Sequence, residues 1–348
     1  MDVQRDPQGR PLHRQMLELP QDLRAAVERA LGAVPAARWM REAQELSERY
    51  RDPREGAPAR PLASGAQQVL GYAALILPAT YAQLRGAMAA TAARVPAWQP
   101  RSMLDLGSGP GTALWAATAQ WPALQTLDAW ERETAFVALG RDLAREAQAP
   151  ALRAARWRQH DLRQDDWGDG PTYDLVVLGH VLNELDEPAR QAVVARAWRR
   201  TAGLLLIIEP GTSAAFPVVR AARDQLLGSG AHTVAPCAHD RPCPLEDDWC
   251  HFPQRLRRPE FQRRARGAPS DWEDSKFSYA AMARFAPEQP VWGRVIREPT
   301  SNKAYAEALI SAESGIVTYR ALKRHRELFR KARDLAWGDA LAEAPEEG

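Results

Sequence analysis

Apolar residues change their spacing several times along this 348-residue chain. From about Pro20 to Ala92 they recur at helical intervals, first Leu23, Ala26, Val27, Ala30 and Leu31, then Leu70, Ala73, Ala74, Leu77, Tyr81 and Leu84. That period gathers them on one face of successive helices, with Pro35, Pro53 and Pro61 as breaks, and predicts a helical N-terminal domain over 1–95. The Val95–Pro100 segment ends the pattern. Short apolar runs then alternate with amphipathic stretches, and the strand candidates are Ser102–Leu106, Leu124–Trp130, Ala151–Trp157, Tyr173–Gly179 and Gly203–Glu209. Such alternation predicts an α/β domain with a parallel sheet over 96–230. Periodicity fades over 231–275, which reads as an irregular insert ordered by something other than apolar burial. A C-terminal part, 276–348, offers strands at Phe277–Phe285, Val291–Ile296, Ala304–Ile310 and Ile316–Leu322, then a basic helix-like stretch to Trp337 and an acidic tail.

Lys and Arg number 46 against 44 Asp and Glu, so a net charge of +2 excludes any argument from overall polycation character. Local clusters carry that argument instead. Arg255, Arg257, Arg258, Arg263, Arg264 and Arg266 face one acid, Glu260, and seven basic residues between Thr318 and Arg333 interleave with Tyr319, His325 and Phe329. Guanidinium forks and aromatic faces suit the phosphates and bases of structured RNA. The first fifteen residues lack the apolar run of a secretory signal, and no stretch approaches a membrane span. The expectation is a soluble, cytoplasmic monomer with no membrane partner.

The run from Met103 to Thr112 is an apolar strand that opens, through Asp105, Gly107, Ser108, Gly109 and Gly111, into the start of a helix. Glycines let the backbone turn sharply and approach a ligand, and the helix start offers unpaired N–H groups. With its glycines at alternate positions after an aspartate, the loop resembles the first motif of class I S-adenosylmethionine-dependent methyltransferases. That resemblance implies a Rossmann-like fold and a role for Glu131, at the end of the second strand, in binding both ribose hydroxyls. Asp161 and Leu162, after the third strand, then stand where the adenine is met, and His180, after the fourth, near the methyl acceptor; all three are counted with the cofactor residues. The chemical step has no evident owner. The Asn- or Asp-Pro-Pro-aromatic tetrad of adenine amino methyltransferases is absent, and no cysteine precedes residue 237 to serve as a nucleophile.

All three cysteines, Cys237, Cys243 and Cys250, fall within fourteen residues. Three thiolates so close can share an iron–sulfur cluster or a soft metal such as zinc, and ligation would order a proline-rich loop.

The glycine loop, the Glu209–Thr212 segment, the Cys-Pro and Asp-Trp-Cys-His-Phe segments and the Glu273–Tyr279 run together resemble the methyltransferase-like assembly proteins of the small ribosomal subunit, a mitochondrial family with bacterial relatives. The resemblance extends from roughly Leu19 to Asp339. It implies a factor that matures the small subunit, binds ribosomal RNA and S-adenosylmethionine, and carries a four-iron cluster on four cysteines, with methyl transfer to RNA left open. In that family the fourth cysteine lies in a late hairpin, and here Ser311 stands in its place, with His239 and His251 as other candidates for the fourth ligand. Two alternatives remain: a small-molecule methyltransferase, and a catalytically inactive RNA-binding assembly protein.

Overall fold

The computed structural model describes residues 15–51 and 65–346. Pro53, Pro61 and the first fourteen residues lie outside them. Helices α1 (Gln21–Gly32), α2 (Ala36–Arg51), α3 (Ala66–Leu75) and α4 (Leu77–Ala92) come first. Leu23, Ala26, Val27 and Leu31 of α1 are buried, as their spacing requires. Helix α4 is buried on nearly every side, which explains its weak amphipathicity: it lies beneath α5 and the sheet rather than on the surface.

The sheet that follows is built from β1 (Ser102–Leu106), β2 (Thr126–Glu131), β3 (Arg156–Gln159), β4 (Tyr173–Gly179), β5 (Thr201–Pro210), β6 (His232–Ala235), β7 (Phe252–Arg257) and β8 (Trp272–Ala283). Its order is β3-β2-β1-β4-β5-β8-β6, with β7 also paired to β8. The first five strands run parallel, and β8 is antiparallel to both β5 and β6. Parallel strands covered on both faces read as continuous apolar runs, and Met103–Leu106 and Leu175–Leu178 are fully enclosed. Helices α5 (Thr112–Gln120) and α6 (Thr134–Ala144) cover one face together with the N-terminal helices, within one continuous core from Leu19 to Ala283. The other face is covered by α8 (Glu187–Arg199) and α9 (Phe216–Gly228).

Two sequence expectations change. The strand read over Ala151–Trp157 is in fact helix α7 (Pro150–Arg153) followed by β3, because Pro150 fits the first turn of a helix and Leu152 then turns inward. The segment 231–275 is less irregular than its sequence suggests. It holds β6, β7 and α10 (Glu260–Arg266), and both strands pair with β8, so backbone bonding orders its two ends.

A second, antiparallel sheet contains β9 (Gly293–Val295), β10 (Thr300–Ser301), β11 (Tyr305–Ala312), β12 (Gly315–Leu322) and β13 (Ala340–Leu341), with α11 (Arg326–Arg333) packed on the β11–β12 hairpin.

Candidate cofactor pocket and thiol site

The glycine loop is stitched to the end of β2. Gly107 and Ser108 donate their N–H groups to Trp130 O at 2.8 and 3.0 Å, and Gly109 donates to Glu131 Oε2 at 2.8 Å. Gly107, Gly109 and Gly111 all have positive φ, so each adopts a backbone that other residues resist. At Gly111 a side chain would also strike Trp157 at 2.7 Å.

A cavity of about 340 Å³ opens above this loop. Asp105, Gly107, Ser108, Gly109, Glu131, Asp161, Leu162 and His180 line it; Gly111 does not, and serves the turn beneath. Tyr72, Thr80, Gln83 and Glu184 line it as well, although sequence reasoning missed them. The buried amide of Gln83, in a helix whose buried residues are mostly apolar, was the available signal.

Burial dominates the electrostatics. It raises Asp105 to about 8, with the charge of Glu131 adding to the effect, so Asp105 is protonated at neutral pH. Its Oδ2 has no partner. Glu131 is raised by burial, and this is opposed by the N–H groups of Glu133 and Gly109, each 2.8 Å away. Each of its oxygens keeps a further lone pair for a ligand. Burial also lifts Glu184 to about 7. Asp161 is different: Arg163 grips its carboxylate and lowers its pKa, so an adenine amino group would compete with that guanidinium.

His180 sits at φ 59°, the one non-glycine residue with positive φ among the described residues. Its Nε2 lies 2.7 Å from Gln83 Oε1, and Gln83 Nε2 donates to Ser275 Oγ at 2.8 Å and to Lys276 O at 3.0 Å. Burial lowers His180 to about 4. Below the pocket floor, Glu209 Oε1 accepts from Leu182 N at 2.8 Å, and Gly211 packs so closely on β8 that a side chain would meet Phe277 N at 2.7 Å. These contacts account for two of the residues that carry the family resemblance.

The three cysteines are free thiols. Burial, and then the nearness of Cys237 and Cys243, raises Cys250 well above its ordinary range, and all three side chains are half-buried. Arginines hold the loop there. Arg220 donates to Leu245 O, Arg223 to His239 O and Arg241 O, Arg294 to Pro236 O, and Arg297 to Trp249 O. Sequence reasoning missed these clamps, because arginines scattered over α9 and β9 carry no local pattern. In β11, Ala306, Ala308 and Ile310 face the core of the second sheet, while Leu309, Cys243 and Cys250 all pack against the cluster of Phe216, Leu245 and Ile296. Ser311 shares the face of Leu309 and pairs with Arg294 of β9. His251 stacks on Trp249, whereas both ring nitrogens of His239 are buried without partners. Among the described residues, no three or more His, Cys, Asp or Glu side chains converge to hold a single ion.

The two basic clusters differ. Arg255 pairs with Asp274, Arg257 with Glu18, Arg258 and Arg266 with Glu273, and Arg263 with Glu260, so most of the first cluster is neutralised within the protein. Lys323, Arg324, Arg326 and Arg330 at the start of and along α11 are exposed and have no carboxylate in ion-pair reach among the described residues.

Five parallel strands in the order 3-2-1-4-5, an antiparallel strand inserted beside the fifth, and a glycine loop after the first together define the class I methyltransferase fold. Within that class the chain belongs to the Rsm22 family: the family model described as mitochondrial small ribosomal subunit Rsm22 matches residues 66–342. It is 30% identical over 295 residues to the human mitochondrial ribosome assembly protein METTL17, covering 78% of this chain and 62% of that one. It is 23% identical to the mitochondrial Rsm22-cox11 tandem protein 2 of Schizosaccharomyces pombe, covering 78% and 43%. The chain thus spans less than two thirds of the length of these relatives. Among solved structures, an O-methyltransferase family protein from Burkholderia thailandensis superposes with a TM-score of 0.44 at 13% identity, covering 72% of each chain. Magnesium protoporphyrin IX methyltransferase from Synechocystis, solved with bound S-adenosylhomocysteine, gives 0.40 at 14% identity, covering 76% of this chain and all of that one.

These relatives correct one expectation. They are mitochondrial proteins, which overturns the cytoplasmic placement. The lack of a long apolar segment does not separate the two compartments. No helix among the described residues is long and apolar enough to cross a membrane.

Proposed function

We propose that the protein is an assembly factor of the small ribosomal subunit that binds S-adenosylmethionine above the glycine loop and ribosomal RNA through its C-terminal basic helix. The observation that carries the cofactor reading is the Gly109 N–H bond to Glu131 Oε2, which joins loop and carboxylate in one cavity wall. The cavity is within the size range of small-molecule sites, and the residues present suit the ligand. Glu131 keeps lone pairs for ribose hydroxyls, and protonated Asp105 has an unmet position beneath the loop. The cofactor, when bound, would supply an electrophilic methyl group. His180, held by Gln83, would stand at the wall where an acceptor enters.

For the thiols the reading is an iron–sulfur cluster, as the family resemblance implies, with zinc as the alternative; three thiolates within fourteen residues suit either. Ser311, where the family resemblance implies a fourth cysteine, is the proposed occupant of the fourth position; it pairs in register with Arg294, whose Nε donates to Pro236 O beside Cys237. The division into 1–95, 96–230, 231–275 and 276–348 serves this proposal as helical platform, cofactor domain, metal insert and RNA-binding part, and we take the protein to act as a monomer.

The RNA reading is tested by measuring affinity for small-subunit particles across a salt series. Each neutralised phosphate releases counterions, so affinity falls with a log–log slope of several units. Reversing Lys323, Arg324, Arg326 and Arg330 to Glu flattens the slope by a few units, while reversing the internally paired Arg255 and Arg258 does not. A salt-independent affinity removes the RNA reading and favours a small-molecule methyltransferase.

A further inference from the structure

The wall of the glycine-loop cavity is unbalanced in charge. Three arginines line it, and each is engaged by a carboxylate: Arg132 by Glu133, Arg163 by Asp161 and Arg266 by Glu273. The two histidines on the wall, His160 and His180, are kept neutral by burial. Glu131 is met by the N–H groups of Gly109 and Glu133, not by a cation in ion-pair reach among the described residues. The carboxylate of Glu184 has neither a hydrogen bond nor an ion pair among the described residues, although the residue is half-buried in the wall.

Chain geometry brings Glu184 to the loop. β4 ends at Gly179, and Val181 packs so closely against the loop that a side chain on Gly107 would meet its Cγ2 at 2.5 Å. A tight turn, Leu182–Glu184, follows at once, with Glu184 N donating to Val181 O at 3.1 Å and Leu182 N to Glu209 Oε1 at 2.8 Å. The strand order β3-β2-β1-β4 then sets the order of contacts along a ligand laid across the strand ends. With adenine at Asp161 and Leu162 after β3, and ribose at Glu131 after β2, the rest of the ligand passes over β1 and β4, between the loop and this turn. In S-adenosylmethionine that part carries a sulfonium. Loss of the methyl group leaves a neutral sulfide on an otherwise unchanged skeleton. An unpartnered carboxylate in a partly desolvated cavity attracts a nearby cation more strongly than it would in water. Burial lifts Glu184 to about 7, and a cation beside it favours its ionised form.

We propose that Glu184 makes the cavity selective for charge, so that it holds the cationic methyl donor more tightly than the neutral demethylated product. This rests on the reading of the cavity as a site for S-adenosylmethionine. Glu184 is then a specificity-determining residue facing the sulfur end of the ligand, and removal of the methyl group removes the attraction, which favours exchange of product for fresh donor.

The test is isothermal titration of the full chain at pH 8, as wild type and as Glu184→Gln, with three ligands that share one skeleton. These are S-adenosylmethionine, S-adenosylhomocysteine, and sinefungin, which carries a protonated amine beside the position of the sulfonium. Wild type is expected to bind the two cationic ligands about tenfold more tightly than S-adenosylhomocysteine. Glu184→Gln brings the three affinities to within about twofold of one another by weakening the cationic pair, and leaves that for S-adenosylhomocysteine nearly unchanged. A general disturbance of the fold would weaken all three alike. If Glu184→Gln does not fold, the wild-type comparison of sinefungin with S-adenosylhomocysteine decides. Equal wild-type affinities for the three, or a preference that persists in Glu184→Gln, overturn the charge selectivity and leave the cofactor site standing. Wild type that binds none of them overturns the cofactor reading and this inference with it.

Discussion

His180 Nε2 and Gln83 Oε1 lie 2.7 Å apart, and the other end of the Gln83 amide settles which atom carries the proton. Because Gln83 Nε2 donates to Ser275 Oγ and Lys276 O, its Oε1 must accept, so His180 carries hydrogen on Nε2 and leaves Nδ1 unprotonated. Burial keeps the ring neutral, with its pKa lowered to about 4. Nitrogen-15 spectra at pH 7 are expected to show the neutral Nε2–H tautomer. Gln83→Leu leaves that N–H unmet, which costs roughly 1 to 3 kcal/mol of stability and mixes the tautomers. An imidazolium, or a hydrogen on Nδ1, would contradict the assignment.

Asp105 governs an alkaline dependence of stability. Its folded pKa, about 8, lies above its ordinary 3.8, so between those values the folded state holds a proton that the unfolded state has lost. Stability contributed by the neutral carboxyl is complete at acid pH and declines as pH rises toward 8, at roughly 1.4 kcal/mol per pH unit. Asp105→Asn should flatten that decline in urea unfolding measured from pH 5 to 8. An identical slope in the variant would show that Asp105 ionises normally.

On the proposed metal reading of the thiols, single Cys→Ser changes at 237, 243 or 250 release bound metal and expose the loop between those residues to protease. The effect should stop at β6 and β7, whose pairing with β8 does not involve the thiols. Cleavage spread throughout 231–275 would mean that the metal, rather than the sheet, orders the whole insert.

Much of this fold was legible because the parallel strands are buried on both faces and the glycine loop is a local motif: Met103–Leu106 reads as a strand wherever it occurs. β7 did not read as a strand, because Pro253, Arg255 and Arg257 give it a polar face and its place depends on β8, about twenty residues further on. The cavity was half legible. Asp105 and Glu131 lie at the ends of neighbouring strands and Gly109 in the loop between them, whereas Tyr72 and Gln83 reach it from α3 and α4 by tertiary packing alone. The arginine clusters looked alike in sequence, and only the positions of Asp274 and Glu273 across the β7–β8 pairing distinguish them.

The central claim is that the loop and Glu131 bind S-adenosylmethionine. Isothermal titration of S-adenosylhomocysteine into wild type and Glu131→Ala tests it most directly. The account expects one site in wild type and at least tenfold weaker binding in the variant, since each charge-assisted hydrogen bond to the ribose is worth roughly 1.5 to 3 kcal/mol. Equal affinities for the two proteins, or no binding to wild type, would contradict it.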